Sequence, residues 1–229
     1  VTNAPYDVVI PPEKLWPLYE RIIKPNGAIL LFGQGLFTAR MMISNSKLWR
    51  YNIVWNKVLK SGFLNAGRMP LRKHEDIMVF YKKPPTYNPQ MVDGAPNHSK
   101  GKAAGKQAES VLNNRVYGSY TVVNDKDFSG KKHPDSIWTF AKPHPSTSLS
   151  STEKPVDLCR YAIRTFSNPG DIVLDNCCGG GSTIIAAILE GRQYIGMDNG
   201  VCDNKKSQYY KQPWADVVKD KINKLEVTP

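Results

Sequence analysis

Apolar residues Leu15, Leu18 and Ile22 recur at helical spacing, and Pro25, Asn26 and Gly27 then stop the helix they predict. Ala28 to Phe32 comes next as an unbroken apolar run and reads as a buried strand. Leu36 to Asn45 predicts another helix. Tyr51 to Trp55 and Asp76 to Tyr81, with their β-branched or aromatic content, predict further strands. Periodicity then lapses from Lys82 to Lys132. It resumes with a helix from Val156, a strand Ile172 to Leu174 ending in Asp175, a helix Ile184 to Glu190, and a strand Gln193 to Met197 ending in Asp198. Strands alternating with helices predict an α/β class, and no internal repeat is visible.

The run Asp171 to Thr183, DIVLDNCCGGGST, is the most informative stretch. Its apolar strand ends in an acid, and ligands of open α/β sheets bind at that carboxyl end. Gly179, Gly180 and Gly181 permit a turn that side-chain-bearing residues resist and let main chain approach a bulky ligand. Ser182 and Thr183 suit the start of the next helix. Asp198, ending the neighbouring strand, is placed to bind ribose hydroxyls, so one βαβ unit offers two carboxylates to one crevice. The spacing is neither a dinucleotide fingerprint, since Ile184 stands where a third glycine belongs, nor a phosphate loop, since no Lys comes after it. Taken alone, the segment also fits an ordinary tight strand-to-helix connection.

Composition narrows the picture. A chain of 229 residues with 41% hydrophobic content can build one substantial core. No window is long or apolar enough to span a membrane and no signal peptide is visible, so an intracellular, cytoplasmic protein is expected. Cys159, Cys177, Cys178 and Cys202 lack the paired spacing of a zinc site, no metal site is expected, and adjacent Cys177 and Cys178 are poorly placed to bridge each other. The formal net charge of +11 favours a polyanion, with nucleic acid as the natural partner. Lys82 to Lys132 concentrates this, with nine Lys or Arg against four Asp or Glu, interleaved with Gly, Asn, Ser and Pro. Tyr87, Tyr117, Tyr120 and Phe128 there can stack on bases or pack the insert onto its domain.

Three elements in order resemble the amino-methyltransferases that modify exocyclic nitrogens of DNA bases, in the permuted arrangement called the beta group. Their cofactor loop reads DPF, one residue, GSGTT, where this chain has Asp175, Asn176, Cys177, Cys178, Gly179, Gly180, Gly181, Ser182 and Thr183. Their HPT-x-KP element corresponds to Ser150, Ser151, Thr152, Glu153, Lys154 and Pro155. Their catalytic Asp, Asn or Ser followed by Pro-Pro-aromatic corresponds to Asn3, Ala4, Pro5 and Tyr6. The resemblance extends over nearly the whole chain, through Lys24 to Gly33, Ser61 to Pro89 and Leu189 to Asp198.

This resemblance implies a Rossmann-like methyltransferase sheet, mostly parallel and circularly permuted, with a small basic recognition insert. Residues 1–81 would form the catalytic half, 82–135 the target-recognition insert and 136–229 the cofactor half. S-adenosylmethionine is the implied cofactor, held by Thr152, Lys154, Asp175, Cys177, Gly179, Gly181, Ser182, Thr183 and Asp198. Double-stranded DNA is the implied partner, in a bacterial or phage-infected cell, and family members are often dimers. An exocyclic amine is a poor nucleophile because its lone pair is delocalised. The Asn3 side-chain oxygen and the Ala4 carbonyl would each accept an amine proton, and Tyr6 would offer a face to the extruded base. By resemblance, Asn in first position fits adenine N6 and Ser more often accompanies cytosine N4.

The chain departs from the pattern at Ala4 for Pro, Cys177 for Phe, and Ser150 and Ser151 for His and Pro. A degenerate, non-catalytic nucleic-acid-binding member is therefore a second expectation. Relatives carry a strand and an acidic turn before the catalytic element, and a loop where Tyr6 here meets Asp7, so residues missing at both places are expected. His74 and His133 lack partners at ligand spacing; Arg68, Arg72 and Lys73 precede a strand and face phosphate or solvent. Trp16, Trp49, Trp55 and Trp138 are expected in packing, and Phe32 and Gly33 near the crevice.

Overall fold

The computed structural model describes residues 10–94, 110–114, 118–122, 131–144 and 146–226. Proline opens the first helix, α1 (Pro12–Ile22), where the missing N–H has no intrahelical partner to lose. Strand β1 (Ile29–Gly33) and helix α2 (Leu36–Ser44) come next, then β2 (Trp49–Ser61), a short 3₁₀ turn (Phe63–Asn65) and β3 (Arg72–Phe80). After β4 (Val92–Asp93), β5 (Ser110–Asn114), β6 (Gly118–Val122) and β7 (Lys131–Lys132), the chain continues through β8 (Ile137–Thr139) and α3 (Val156–Phe166). It ends in β9 (Ile172–Asp175), α4 (Ser182–Leu189), β10 (Gln193–Gly196) and α5 (Trp214–Glu226).

Two compact units result, Val1–Asn88 with Asp135–Pro229, and Pro89–Pro134. In the first, a four-stranded sheet runs in the order β1-β3-β2-β8, and β9 and β10 form a separate parallel pair. Strand β3 lies antiparallel to both β1 and β2, whereas β2 and β8 are parallel. The pairing is thus mixed where a mostly parallel sheet was expected. The connection from β2 to β3 is too short for a parallel crossover, which needs a dozen or more residues, so the two strands close as a hairpin.

Alternation along β3 builds two cores. Ile77 and Val79 pack with Ile53, Trp55, Trp138, Leu158 and Phe166 against α3, whereas Met78 and Phe80 pack with Trp16 and Met41 beneath α1 and α2. All four of these β3 side chains are fully buried, as a strand covered on both faces requires. Trp16, Trp55 and Trp138 are buried and Trp49 packs against the second core, as expected. Cys159, Ile163, Ala186 and Ala187 join α3 to α4 in a third cluster.

Helix and strand cores fall where periodicity placed them, but β2 runs on past Trp55 and β3 starts at Arg72 rather than Asp76. Arg72 and Lys73 therefore lie within a strand. Backbone ladder bonds extend these strands through polar residues that carry no alternation signal. The sequence pattern has no counterpart for β8 or α5. In the second unit the described residues form two antiparallel pairs, β4 with β7 and β5 with β6, and Lys131 pairs with Asp93.

Candidate functional site

The glycine turn after β9 is tied down by backbone groups and by two carboxylates. Cys177 N–H donates to Asp175 Oδ1 at 3.0 Å, an Asx turn that reverses the chain at the strand end. Met197 N–H donates to the Asp175 carbonyl at 2.9 Å and Cys178 N–H to the Met197 carbonyl at 3.0 Å, so the ends of β9 and β10 are laced together. Asp198 completes the clasp: Oδ2 accepts from Gly179 N–H at 2.9 Å and Oδ1 from Gly200 N–H at 2.8 Å.

Glycine is required here for two different reasons. Gly181 has φ +79°, and a Cβ there would stand 2.6 Å from Val218 Cγ2. Gly179 has φ +45° with nothing within 4 Å of the same position, so its surface is open to a ligand. Gly181 caps α4, placing Ser182 and Thr183 in its first turn. Ser182 is buried, and the Thr183 hydroxyl points at Cys159 Sγ, 3.9 Å away.

The segment before α3 leans on this turn. Leu149 Cδ1 lies 3.1 Å from where a Gly180 Cβ would be, and Glu153 Oε2 accepts from Leu149 N–H at 2.7 Å. That bond holds the Thr152–Lys154 element beside the glycines. Lys154 Nζ donates to the Thr152 carbonyl at 3.0 Å, pairs with Glu75 Oε2 at 3.3 Å, and lies 5.2 Å from the Phe32 ring centre and 5.7 Å from that of Trp55. The other Glu75 oxygen, Oε1, pairs with buried Lys57 at 3.2 Å. Phe32 is thereby brought to the Lys154 end of the site, and Gly33 is enclosed by Met78, Thr38 and Phe37 side chains.

Two residues escaped the sequence reading. Glu75 joins Lys57 and Lys154, and only its place beside Asp76 after the basic residues Arg72 and Lys73 marked it. Tyr19 reaches from α1 to donate its hydroxyl to Asn176 Oδ1 at 3.0 Å, and nothing in the local pattern of α1 signals that contact. Burial pushes the Tyr19 phenol up, with the Asn176 bond opposing and the Cys177 and Asp175 charges adding. Burial also pushes the Cys178 thiol up to about 11, assisted by Asp175 and Asp198, and raises Cys177 for the same reasons. All four cysteines are free, and among the described residues no cluster of His, Cys, Asp and Glu could hold a metal. Among the described residues, too, no helix is long and apolar enough to cross a membrane.

Asn3, Ala4, Pro5 and Tyr6, with the junction between Tyr6 and Asp7, lie outside the described residues. So do Tyr117 and Phe128, while Tyr120 is described only in its backbone.

A family model described as DNA methylase, of the N6/N4 methyltransferase type, matches residues 12–202. The chain belongs to this DNA methylase family. It is 30% identical over 185 residues to the type II methyltransferase M1.MboII of Moraxella bovis, covering 76% of this chain and 67% of that one. It is 32% identical over 185 residues to the DNA adenine methyltransferase YhdJ of Escherichia coli K12, covering 78% of this chain and 58% of the relative. The chain spans from 18% to 67% of the length of curated relatives it matches. Among solved structures, the M1.HpyAVI–SAM complex superposes with a TM-score of 0.57 at 18% identity, covering 95% of this chain and 85% of that one. That likeness is one of fold. The family member is a permuted Rossmann-like methyltransferase sheet with mixed parallel and antiparallel strands.

Proposed function

We infer that the protein transfers a methyl group from S-adenosylmethionine to the exocyclic N6 of an adenine flipped out of double-stranded DNA. The observation carrying this reading is the glycine turn at the carboxyl ends of β9 and β10, clasped by Asp198 and open above Gly179. The cofactor fits this site. Each Asp198 oxygen accepts one backbone N–H and keeps a lone pair for a ribose hydroxyl. Asp175 holds the turn from the strand end, Gly179 and Gly181 supply the bare backbone, and Ser182 and Thr183 start the helix behind it. Thr152 and Lys154 border the same turn through Leu149 and Glu153.

When bound, S-adenosylmethionine supplies an electrophilic methyl group on its sulfonium. The chain must then position and activate the amine. Asn3 Oδ1 and the Ala4 carbonyl would each accept a hydrogen bond from an amine N–H, bonds that strengthen as positive charge develops on nitrogen. One of the two protons leaves to solvent as the methyl is gained, and the other stays on nitrogen. Pro5 belongs to the same motif, and Tyr6 would offer a face to the extruded base. The resemblance of Asn3, Ala4, Pro5 and Tyr6 to the family's catalytic motif supports this assignment of roles, and Asn rather than Ser at position 3 supports adenine over cytosine N4. Residues 1–81 act as the catalytic half, residues 82–135 as the target-recognition insert, most of which is the compact unit Pro89–Pro134, and residues 136–229 as the cofactor half, in the cytoplasm of a bacterial or phage-infected cell.

Calorimetric titration of S-adenosylmethionine into the protein, followed by methyl transfer to mixed-sequence duplex DNA with product nucleosides resolved, tests this. Saturable binding, weakened in Asp198→Ala, and N6-methyladenine absent in Asn3→Ala, are expected. N4-methylcytosine as the product would move the target base. No binding at millimolar cofactor would replace the enzyme by a DNA-binding relative, the reading favoured by Ala4, Cys177, Ser150 and Ser151.

A further inference from the structure

The connection between β2 and β3 bears large apolar side chains in the open. Phe63 is 76% exposed, Leu64 84% and Met69 51%. Isolated exposed apolar residues are ordinary, but three on one short hairpin tip are a costly arrangement for a chain that meets only water. The charge around them is one-sided. From Lys57 to His74 the sequence carries five Lys or Arg and no Asp or Glu. Lys57 is buried against Glu75, and Arg72 donates to Gln34 Oε1 at 3.1 Å. Lys60, Arg68 and Lys73 are exposed and form no ion pair among the described residues.

The backbone is irregular where this tip leaves the sheet. Pairing runs Asn56 to His74 and then Ser61 to Arg72, so β2 carries extra residues in a bulge, and Val58 within it has φ +62°. A β-branched residue at positive φ is strained, and bulges of this kind redirect the chain beyond them. The tip leaves from the edge at which β1, β2 and β8 all end, because β1 and β2 both run antiparallel to β3 and β8 runs parallel to β2. Glu75, at the hairpin base, pairs with Lys154, whose neighbours Leu149 and Glu153 pack beside Gly180. The hairpin therefore stands on the rim of the candidate site.

We propose that the β2–β3 hairpin is a second DNA-contacting element, separate from the Pro89–Pro134 unit, in which Lys60, Arg68 and Lys73 grip the phosphate backbone and Phe63 and Leu64 press against the bases. The occupant is duplex DNA because the hairpin from Lys57 to His74 carries cations and no acid, and a partner protein's apolar patch would leave those charges unanswered. Apolar wedges flanked by cations are the chemistry by which proteins unstack base steps and kink a duplex. Such a wedge at the rim would help to hold the helix open around an extruded base. The inference rests on the methyltransferase reading and names a part of its substrate contact.

Two multiple variants test it, Lys60→Gln/Arg68→Gln/Lys73→Gln and Phe63→Ala/Leu64→Ala, in the full chain. Affinity for a fluorescent duplex of about 30 base pairs is measured by anisotropy across salt concentrations, with S-adenosylmethionine calorimetry and sedimentation in parallel. Loss of three phosphate contacts should lower affinity about tenfold or more at low salt and flatten the log–log salt slope by about 2.7. The apolar variant should keep the slope while losing the fluorescence rise of a 2-aminopurine placed at the target base. Wild-type affinity, slope and 2-aminopurine signal in both variants would overturn the inference. So would a dimer that dissociates in the apolar variant while DNA binding is unchanged, since the face would then belong to a second copy. A wild-type protein that binds cofactor but not the duplex also overturns it and spares the cofactor assignment; failure to bind cofactor strikes the methyltransferase reading itself.

Discussion

The glycine turn and the β2–β3 hairpin are both short connections at strand ends, yet they spend their polar groups in opposite ways. In the turn, the Asp175 and Asp198 carboxylates and the Asp175 and Met197 carbonyls accept the N–H groups of Cys177, Gly179, Gly200, Met197 and Cys178, and these groups are answered within the chain. In the hairpin, Lys60, Arg68 and Lys73 find no ion-pair partner among the described residues, and Phe63 and Leu64 lie open. A connection satisfied internally is preorganised to hold a small ligand of fixed shape. One satisfied only by its binding partner suits a large polyanion whose position varies.

The strongest way to break the comparison is to spoil the turn's internal fit. Gly181→Ala combines a left-handed backbone with a Cβ 2.6 Å from Val218, and should cost about 2–4 kcal/mol of stability in urea unfolding. Gly179→Ala shares the positive φ but meets open space, so about 1 kcal/mol is expected, with most of its effect on cofactor affinity. Equal losses at the two glycines would mean that the turn is not packed as described.

Next in size, Asp198→Ala leaves the Gly179 and Gly200 N–H groups without their acceptor, at about 1–3 kcal/mol, and should weaken S-adenosylmethionine binding at least tenfold by calorimetry. Glu75→Gln removes the charge between Lys57 and Lys154. Lys57 is almost wholly buried, so about 1–3 kcal/mol should be lost, less than for a fully enclosed pair because Glu75 keeps some solvent. The hairpin variants should move thermal stability by no more than about 0.5 kcal/mol, since their side chains contribute little to the fold. A large loss there would place the hairpin with the turn, as structure rather than contact surface.

A further effect concerns pH. Burial raises both Cys159 and Cys178 from an ordinary 9.0 to about 11. The folded state thus favours the protonated thiol, so this stabilisation is complete below pH 9 and is lost as pH rises towards 11. Denaturation midpoints should fall across that window, and Cys159→Ala should shallow the fall.

Much of this was legible in the sequence. Periodicity located α1, β1, α2, α3, β9, α4 and β10 to within a few residues, because those patterns record which faces must leave water. The glycine turn was legible because positive φ is a property of single residues. The extents of β2 and β3 were not, since a ladder is set by the partner strand's backbone and not by the strand's own side chains. The mixed pairing escaped for a similar reason. Arg72 and Lys73 read as loop cations until β3 was seen to begin with them.

By itself, then, the sequence determined the α/β alternation, the acid–glycine–helix turn and the family motifs in their order, all of which are local and written in consecutive residues. Only the tertiary structure decided that Asp198 clasps Gly179, that Glu75 joins Lys57 to Lys154, and that a bulged hairpin carries Phe63 and Leu64 to the rim of that site. Those contacts join residues far apart in the chain, and their energy exists only once burial and strand pairing have brought the groups within hydrogen-bonding or ion-pairing reach.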